Sequence, residues 1–155
     1  MSRRTNKSAL RQAKQGREPG SFFALPKCVL ESDEFATLSP FAVKLMMDMA
    51  AQHHMGRNGY LSASWTLMQK RGWRSKDTLA KALNELETEG WVVRTRQGGR
   101  RICNLFGFSF FRIDDHVPGK PLDIKPTVGP LGYWRKQAAL IPDKKSRAPP
   151  HVAND

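Results

Sequence analysis

The chain has 155 residues, room for one domain with flanking segments, and its 26 Lys and Arg against 14 Asp and Glu give a net charge of +12. That excess selects polyanions as partners, nucleic acid ahead of a membrane surface, because no apolar run approaches the ~18 residues of a spanning helix. Met1 to Arg17 is basic and lacks the apolar segment of a secretory signal, so a cytoplasmic protein is expected.

Residues 1–20 hold six basic residues and one acid, with Leu10 as the only large apolar side chain after Met1. Such a segment cannot bury a core and is expected to be a disordered basic arm, of the kind that orders in a minor groove. Residues 21–113 carry the periodicity of a domain. Phe22 to Pro26 reads as extended, and Cys28 to Phe35 as one short helix. Ser39-Pro40 is a helix start, with Ser as N-cap and Pro at the first helical position. Ala42, Leu45, Met46, Met49 and Ala50 give that helix an inward face. Gly56-Arg57-Asn58-Gly59 ends it, which puts His53-His54 in a solvated loop, and Tyr60-Leu61 leaves room for a very short strand. Ser62 or Ser64 caps a second helix, running through Trp65, Leu67 and Met68 to Arg71 and stopping at Gly72.

Ser75 caps a third helix, with Leu79, Ala82, Leu83 and Leu86 on one stripe and Gly90 as its stop. Trp91 to Arg96 and Arg101 to Phe111 are β-rich and flank Gly98-Gly99. That is a hairpin signal, because glycines at the centre of the turn accept positive φ. Phe106, Phe108, Phe110 and Phe111 make the second run aromatic. Core packing is expected of them rather than base stacking, with Trp91 and Phe41 as neighbours. Residues 114–155 hold seven of the ten prolines, and are expected to be a flexible Pro-rich tail dispensable for folding. Within it Tyr133 and Trp134, followed by Arg135-Lys136, form a candidate anchor for a protein partner. The alternative is that Trp134 folds back onto the aromatic strand.

Catalytic and metal chemistry find no foothold in this pattern. Cys28 and Cys103 have apolar flanks and are expected to be buried and reduced, and neither they nor the four histidines show ligand spacing. Asp114-Asp115-His116 reads as a surface linker. There is no Walker-type phosphate loop, nucleophile elbow or His-Glu-x-x-His, so no enzymatic activity, cofactor or metal is expected.

Ser62, Leu67, Gly72, Ser75, Thr78, Leu79, Leu83, Leu86, Gly90, Trp91 and Val93 stand in an order that resembles the winged helix-turn-helix domain of bacterial DNA-binding proteins. The likeness covers residues 39 to about 112. It implies an α+β fold, a three-helix core with a C-terminal β-hairpin wing, and double-stranded DNA as the partner. The segment order is similar to that of small winged-helix proteins of bacterial plasmids, prophages and integrative elements, some of which look like the DNA-binding half of a replication initiator. The expected function is therefore sequence-specific duplex binding, as a transcription regulator or a replication or partition factor of a mobile element. A homodimer on a palindromic site is one arrangement of it.

The DNA-binding residues expected on that basis fall into three groups. Arg74, Ser75 and Lys76, with Thr78, lie at the leading end of the third helix. Lys81 and Asn84 project opposite its Leu stripe and carry the groups that read guanine and adenine. Arg94, Arg96, Arg100 and Arg101 surround the Gly-Gly tip and suit phosphates or a narrow minor groove. Arg74 and Lys76 at the start of the helix, with Glu85, Glu87 and Glu89 toward its end, oppose the helix macrodipole, which suggests a functional constraint. The same charge also suits an architectural DNA- or RNA-binding protein without base readout, or an adaptor whose wing and tail meet an acidic protein. Sequence and salt dependence separate these.

Overall fold

The computed structural model describes residues 16–135. Two one-turn helices, α1 (Lys27–Leu30) and α2 (Asp33–Ala36), precede α3 (Pro40–Ala50), α4 (Trp65–Lys70) and α5 (Lys76–Thr88). An antiparallel hairpin of β1 (Val92–Arg96) and β2 (Leu105–Phe108) follows, so the protein is α+β. Among the described residues no helix is long and apolar enough to cross a membrane. The basic segment 1–15 lies outside the described residues.

One helix was expected over Cys28–Phe35, and two form. Ser32 is the reason: its backbone is extended, and its hydroxyl accepts from the Phe35 N–H, starting a new helix in mid-segment. Ser39 caps α3 by accepting from the Ala42 N–H, and Pro40 follows at its first turn. Leu45, Met46 and Met49 of α3 are buried with Leu79, Ala82 and Leu86 of α5, where the two helices pack. Asp48 is buried on the same helix. It takes Lys44 Nζ at 2.7 Å, Arg71 Nε at 3.0 Å and Trp73 Nε1 at 2.8 Å. Burial pushes its carboxyl up, but the hydrogen bonds from Lys44, Trp73 and Arg71 outweigh that and hold it below the usual range.

The sheet is buried on both faces. Phe106, Phe108 and Val92, with Trp91 beside them, join the helical core. Leu105 and Val93 lie in a second cluster with Tyr60, Ile113, Leu122, Ile124 and Leu131. Leu61 adds a one-residue bridge to Phe106, where the short strand was expected. Two glycines make the second cluster close: a Cβ at Gly107 would lie 2.7 Å from Ile113 Cδ1, and one at Gly59 would lie 2.9 Å from Leu122 Cδ1.

The segment after Ile113 is therefore a third layer up to Arg135, not a flexible tail. Its prolines exclude helix, but between them Leu122, Ile124 and Leu131 find the sheet face that the helices leave open. Trp134 is only 4% exposed and stacks on Trp91, ring centroids 5.0 Å apart. It belongs to the domain, while Tyr133 stays exposed. Lys136 and the rest of the tail lie outside the described residues.

Four further expectations are corrected. Cys28 and Cys103 are both exposed, one on a single helical turn and one in the hairpin loop, neither deep enough to bury a thiol. His53 is half-buried, stacked on Phe111 at 5.1 Å and edge-on to Phe23 at 5.3 Å. Burial lowers its pKa, Asp114 pulls the other way, and His54 adds to the lowering. Asp114 is buried rather than a linker residue, accepting from the Asn58 N–H at 2.7 Å and Arg112 Nε at 3.1 Å. Phe41 is exposed and lies against Trp73 instead of the aromatic strand.

Candidate nucleic-acid interface

The connection from α4 to α5 is built on two residues with opposite tasks. Gly72 takes φ 89°, which closes α4 in the left-handed region open to glycine. Trp73 turns inward, its indole N–H fixed on Asp48, so Arg74 leaves the turn exposed. Ser75 then caps α5 by accepting from the Thr78 N–H at 3.2 Å. The leading end of the helix thus exposes Arg74, Ser75 and Lys76, with Thr78 half-buried behind them. Lys76 Nζ stands 5.7 Å from the Trp65 ring, a long cation–π contact that leaves the ammonium in solvent.

Asn84 is exposed one turn beyond Lys81, as their spacing opposite the Leu stripe requires. Lys81 pairs with Asp77 at 2.8 Å, and both side chains are about three-quarters exposed (78% and 75%). The Asp77 carboxylate raises the Lys81 ammonium above its ordinary value. A pair this exposed is screened by solvent and holds its side chains weakly, so Lys81 is easily redirected.

The acidic end of α5 has a structural explanation that the sequence did not disclose. Glu85 accepts from the Ser39 N–H at 2.8 Å and the Ser39 hydroxyl at 2.6 Å, tying α5 to the start of α3. Glu87 forms a fork with Arg94, Oε1 to Nε at 3.2 Å and Oε2 to Nη2 at 3.1 Å. Glu85 and Glu87 thus oppose the macrodipole for a structural reason, whereas Arg74 and Lys76 form no ion pair with another described residue. Arg94 also donates to Gln97 Oε1 at 2.9 Å and lies 5.8 Å from the Phe106 ring, so it locks α5 to the hairpin. Its guanidinium is thus already paired within the domain, unlike those of Arg100 and Arg101.

The hairpin turns at Arg100-Arg101, not at Gly98-Gly99. Gly99 and Ile102 pair across the tip, with N–O distances of 2.8 and 3.3 Å, and neither glycine takes positive φ. Gly98 serves packing instead, since a Cβ there would run into the backbone of Ile102, Cys103 and Asn104. Arg100 and Arg101 are consequently the two central turn residues. Both are exposed, with no ion pair or side-chain hydrogen bond to another described residue. Arg96 is half-buried, with Nη2 near the Cys103 carbonyl at 3.4 Å. The hairpin arm borders a cleft of about 400 Å³ whose other wall includes Ala63, Ser64 and Leu83.

Two residues outside the expected set shape the tip. Asn104 Oδ1 accepts from the Gly98 N–H, and Asp123 Oδ2 accepts from the Gln97 N–H, each at 2.6 Å. Asp123 reaches β1 from the third layer, so no local pattern announces it. Comparison of the chain with family models, curated proteins and solved structures returns no match.

Proposed function

We propose that the protein binds duplex DNA as a winged helix-turn-helix, with α5 as the recognition helix and the β1–β2 hairpin as the wing. The observation that carries this reading is the tip: Arg100 and Arg101 are held out at the centre of the turn, while Arg94 a few residues away is neutralised by Glu87. Unpaired guanidiniums projected at the centre of a turn suit phosphate oxygens. The leading end of α5 adds Arg74 and Lys76, where a recognition helix meets the groove. Lys81 and Asn84 stand on its open face, where base edges would lie. Action as a transcription regulator, or as a replication or partition factor of a bacterial mobile element, belongs to the same proposal and rests on the resemblance alone.

Selection of bound sequences from a random duplex pool tests it, and a consensus is the expected result. Arg100→Ala with Arg101→Ala should weaken binding to all duplexes alike and make the slope of log K against log salt shallower by about 1.8. Lys81→Ala or Asn84→Ala should instead reduce contrast between sites, by about 1–3 kcal/mol for each bidentate base pairing removed. Binding without any consensus would favour an architectural protein. No duplex binding at low salt would end the proposal.

A further inference from the structure

We infer that Asp123 is a positioning residue for the hairpin tip, and that the third layer sets where Arg100 and Arg101 are presented; this rests on the reading of the hairpin as a DNA contact. β1 is the open edge of the sheet, since β2 and Leu61 lie on its other side. Asp123 closes that edge at two points. Its N–H donates to the Thr95 carbonyl at 2.7 Å, and its carboxylate accepts from the Gln97 N–H at 2.6 Å. These contacts bracket Arg96, next to the one irregularity in strand register, between Arg94 and Arg96. A β-bulge bends and twists a strand, so this is where the direction of the tip is decided.

The clamp has a firm base. Leu122 is buried against Leu105 and Ile113, and Ile124 packs beside the same cluster. Beyond Gln97 the arm is held by Gly98 on Asn104, by the Gly99–Ile102 pair and by the long contact of Arg96 Nη2 with the Cys103 carbonyl. A free β1 edge would leave the Gln97 N–H without a protein acceptor and the arm hinged at the bulge. A carboxylate so near a cationic tip is also poorly placed for a polyanion. Charge alone would make its removal favourable for DNA binding, and this gives the test its sign.

Asp123→Asn keeps an acceptor oxygen and removes the charge, whereas Asp123→Ala removes both. In the free protein, amide exchange at Gln97 should accelerate by roughly tenfold or more in the alanine variant, the worth of a charge-assisted hydrogen bond, and change little in the asparagine variant. On duplex DNA the asparagine variant should bind at least as well as the parent. The alanine variant should bind more weakly, with a salt slope shallower by about 0.9 for each phosphate that the tip no longer reaches. If both variants bind tighter, or Gln97 exchanges at the parent's rate in Asp123→Ala, the positioning role is overturned while DNA binding stands. If the parent itself binds no duplex, the DNA reading fails, and the exchange at Gln97 still decides whether Asp123 holds the arm.

Discussion

At the scale of single residues, Asp48 fixes the connection that leads into the candidate recognition helix, through Arg71 and Trp73. Nothing in the pattern of α3 marks it, because an Asp among Leu45, Met46 and Met49 reads as a polar interruption of an apolar face. Its meaning comes from Trp73 and Arg71, which lie 25 and 23 residues away in the chain. Trp73 is unmarked by local pattern for the same reason: its acceptor is distant in sequence. Asp48→Asn removes the negative charge between Lys44 and Arg71, whose side chains are 43% and 48% exposed. That exposure moderates the loss, and a destabilisation of about 1–3 kcal/mol by urea unfolding near neutral pH is expected. The folded-state pKa of Asp48 is lowered, so its contribution is complete above the ordinary value of about 3.9 and is lost as pH falls through the lowered one. The gap between parent and variant should therefore narrow in acid. A gap independent of pH would mean that the carboxylate charge contributes nothing.

At the scale of elements, the signals that depend on neighbours within a few residues translated directly into structure. Ser39-Pro40 caps α3, Ser75 caps α5, and Gly72 and Gly90 take the positive φ that ends a helix. The exposed set Arg74, Ser75, Lys76, Lys81, Asn84, Arg100 and Arg101 follows from those helix phases and the hairpin. Arg94 is exposed as well but differs in being paired, because its partner, Glu87, belongs to the preceding helix. The turn lies two residues beyond the glycine pair for a physical reason. Two adjacent glycines usually mark positive φ, but here Gly98 is glycine because the returning arm of the hairpin, Ile102 to Asn104, leaves no room for a side chain. The two glycines should consequently behave differently. Gly98→Ala places a Cβ 2.6 Å from the Asn104 amide nitrogen, whereas a Cβ at Gly99 meets nothing within 4 Å. We expect Gly98→Ala to cost about 1–3 kcal/mol and to raise amide exchange across 97–104, and Gly99→Ala to be close to neutral. Equal effects at the two positions would restore the turn to Gly98-Gly99.

At the scale of the whole molecule, the segment from Ile113 to Arg135 turns a two-layer arrangement into three. Proline spacing concealed it, because helix and strand periodicity are what sequence patterns report, and an extended segment anchored by Ile113, Leu122, Leu131 and Trp134 has neither. Its removal has two physical consequences. The sheet face of Val93 and Leu105 becomes an exposed apolar patch, and β1 becomes a bare edge able to pair with another chain. Trp134→Ala tests the other anchor of the segment, its end on the helical core. Its indole is buried on Trp91, immediately before β1 and away from the tip, so a loss of about 3–5 kcal/mol of stability is expected. Duplex affinity measured well below the melting temperature should be unchanged, since neither α5's leading end nor Arg100 and Arg101 lies there. Truncation after Arg112 removes the whole layer, including Asp114 under the Asn58 N–H and Asp123 on β1. That protein should unfold several kcal/mol more easily and associate through the sheet edge, visible as concentration-dependent light scattering. A truncated chain that stays monomeric and melts with the parent would show instead that the helices and hairpin form a complete domain without it.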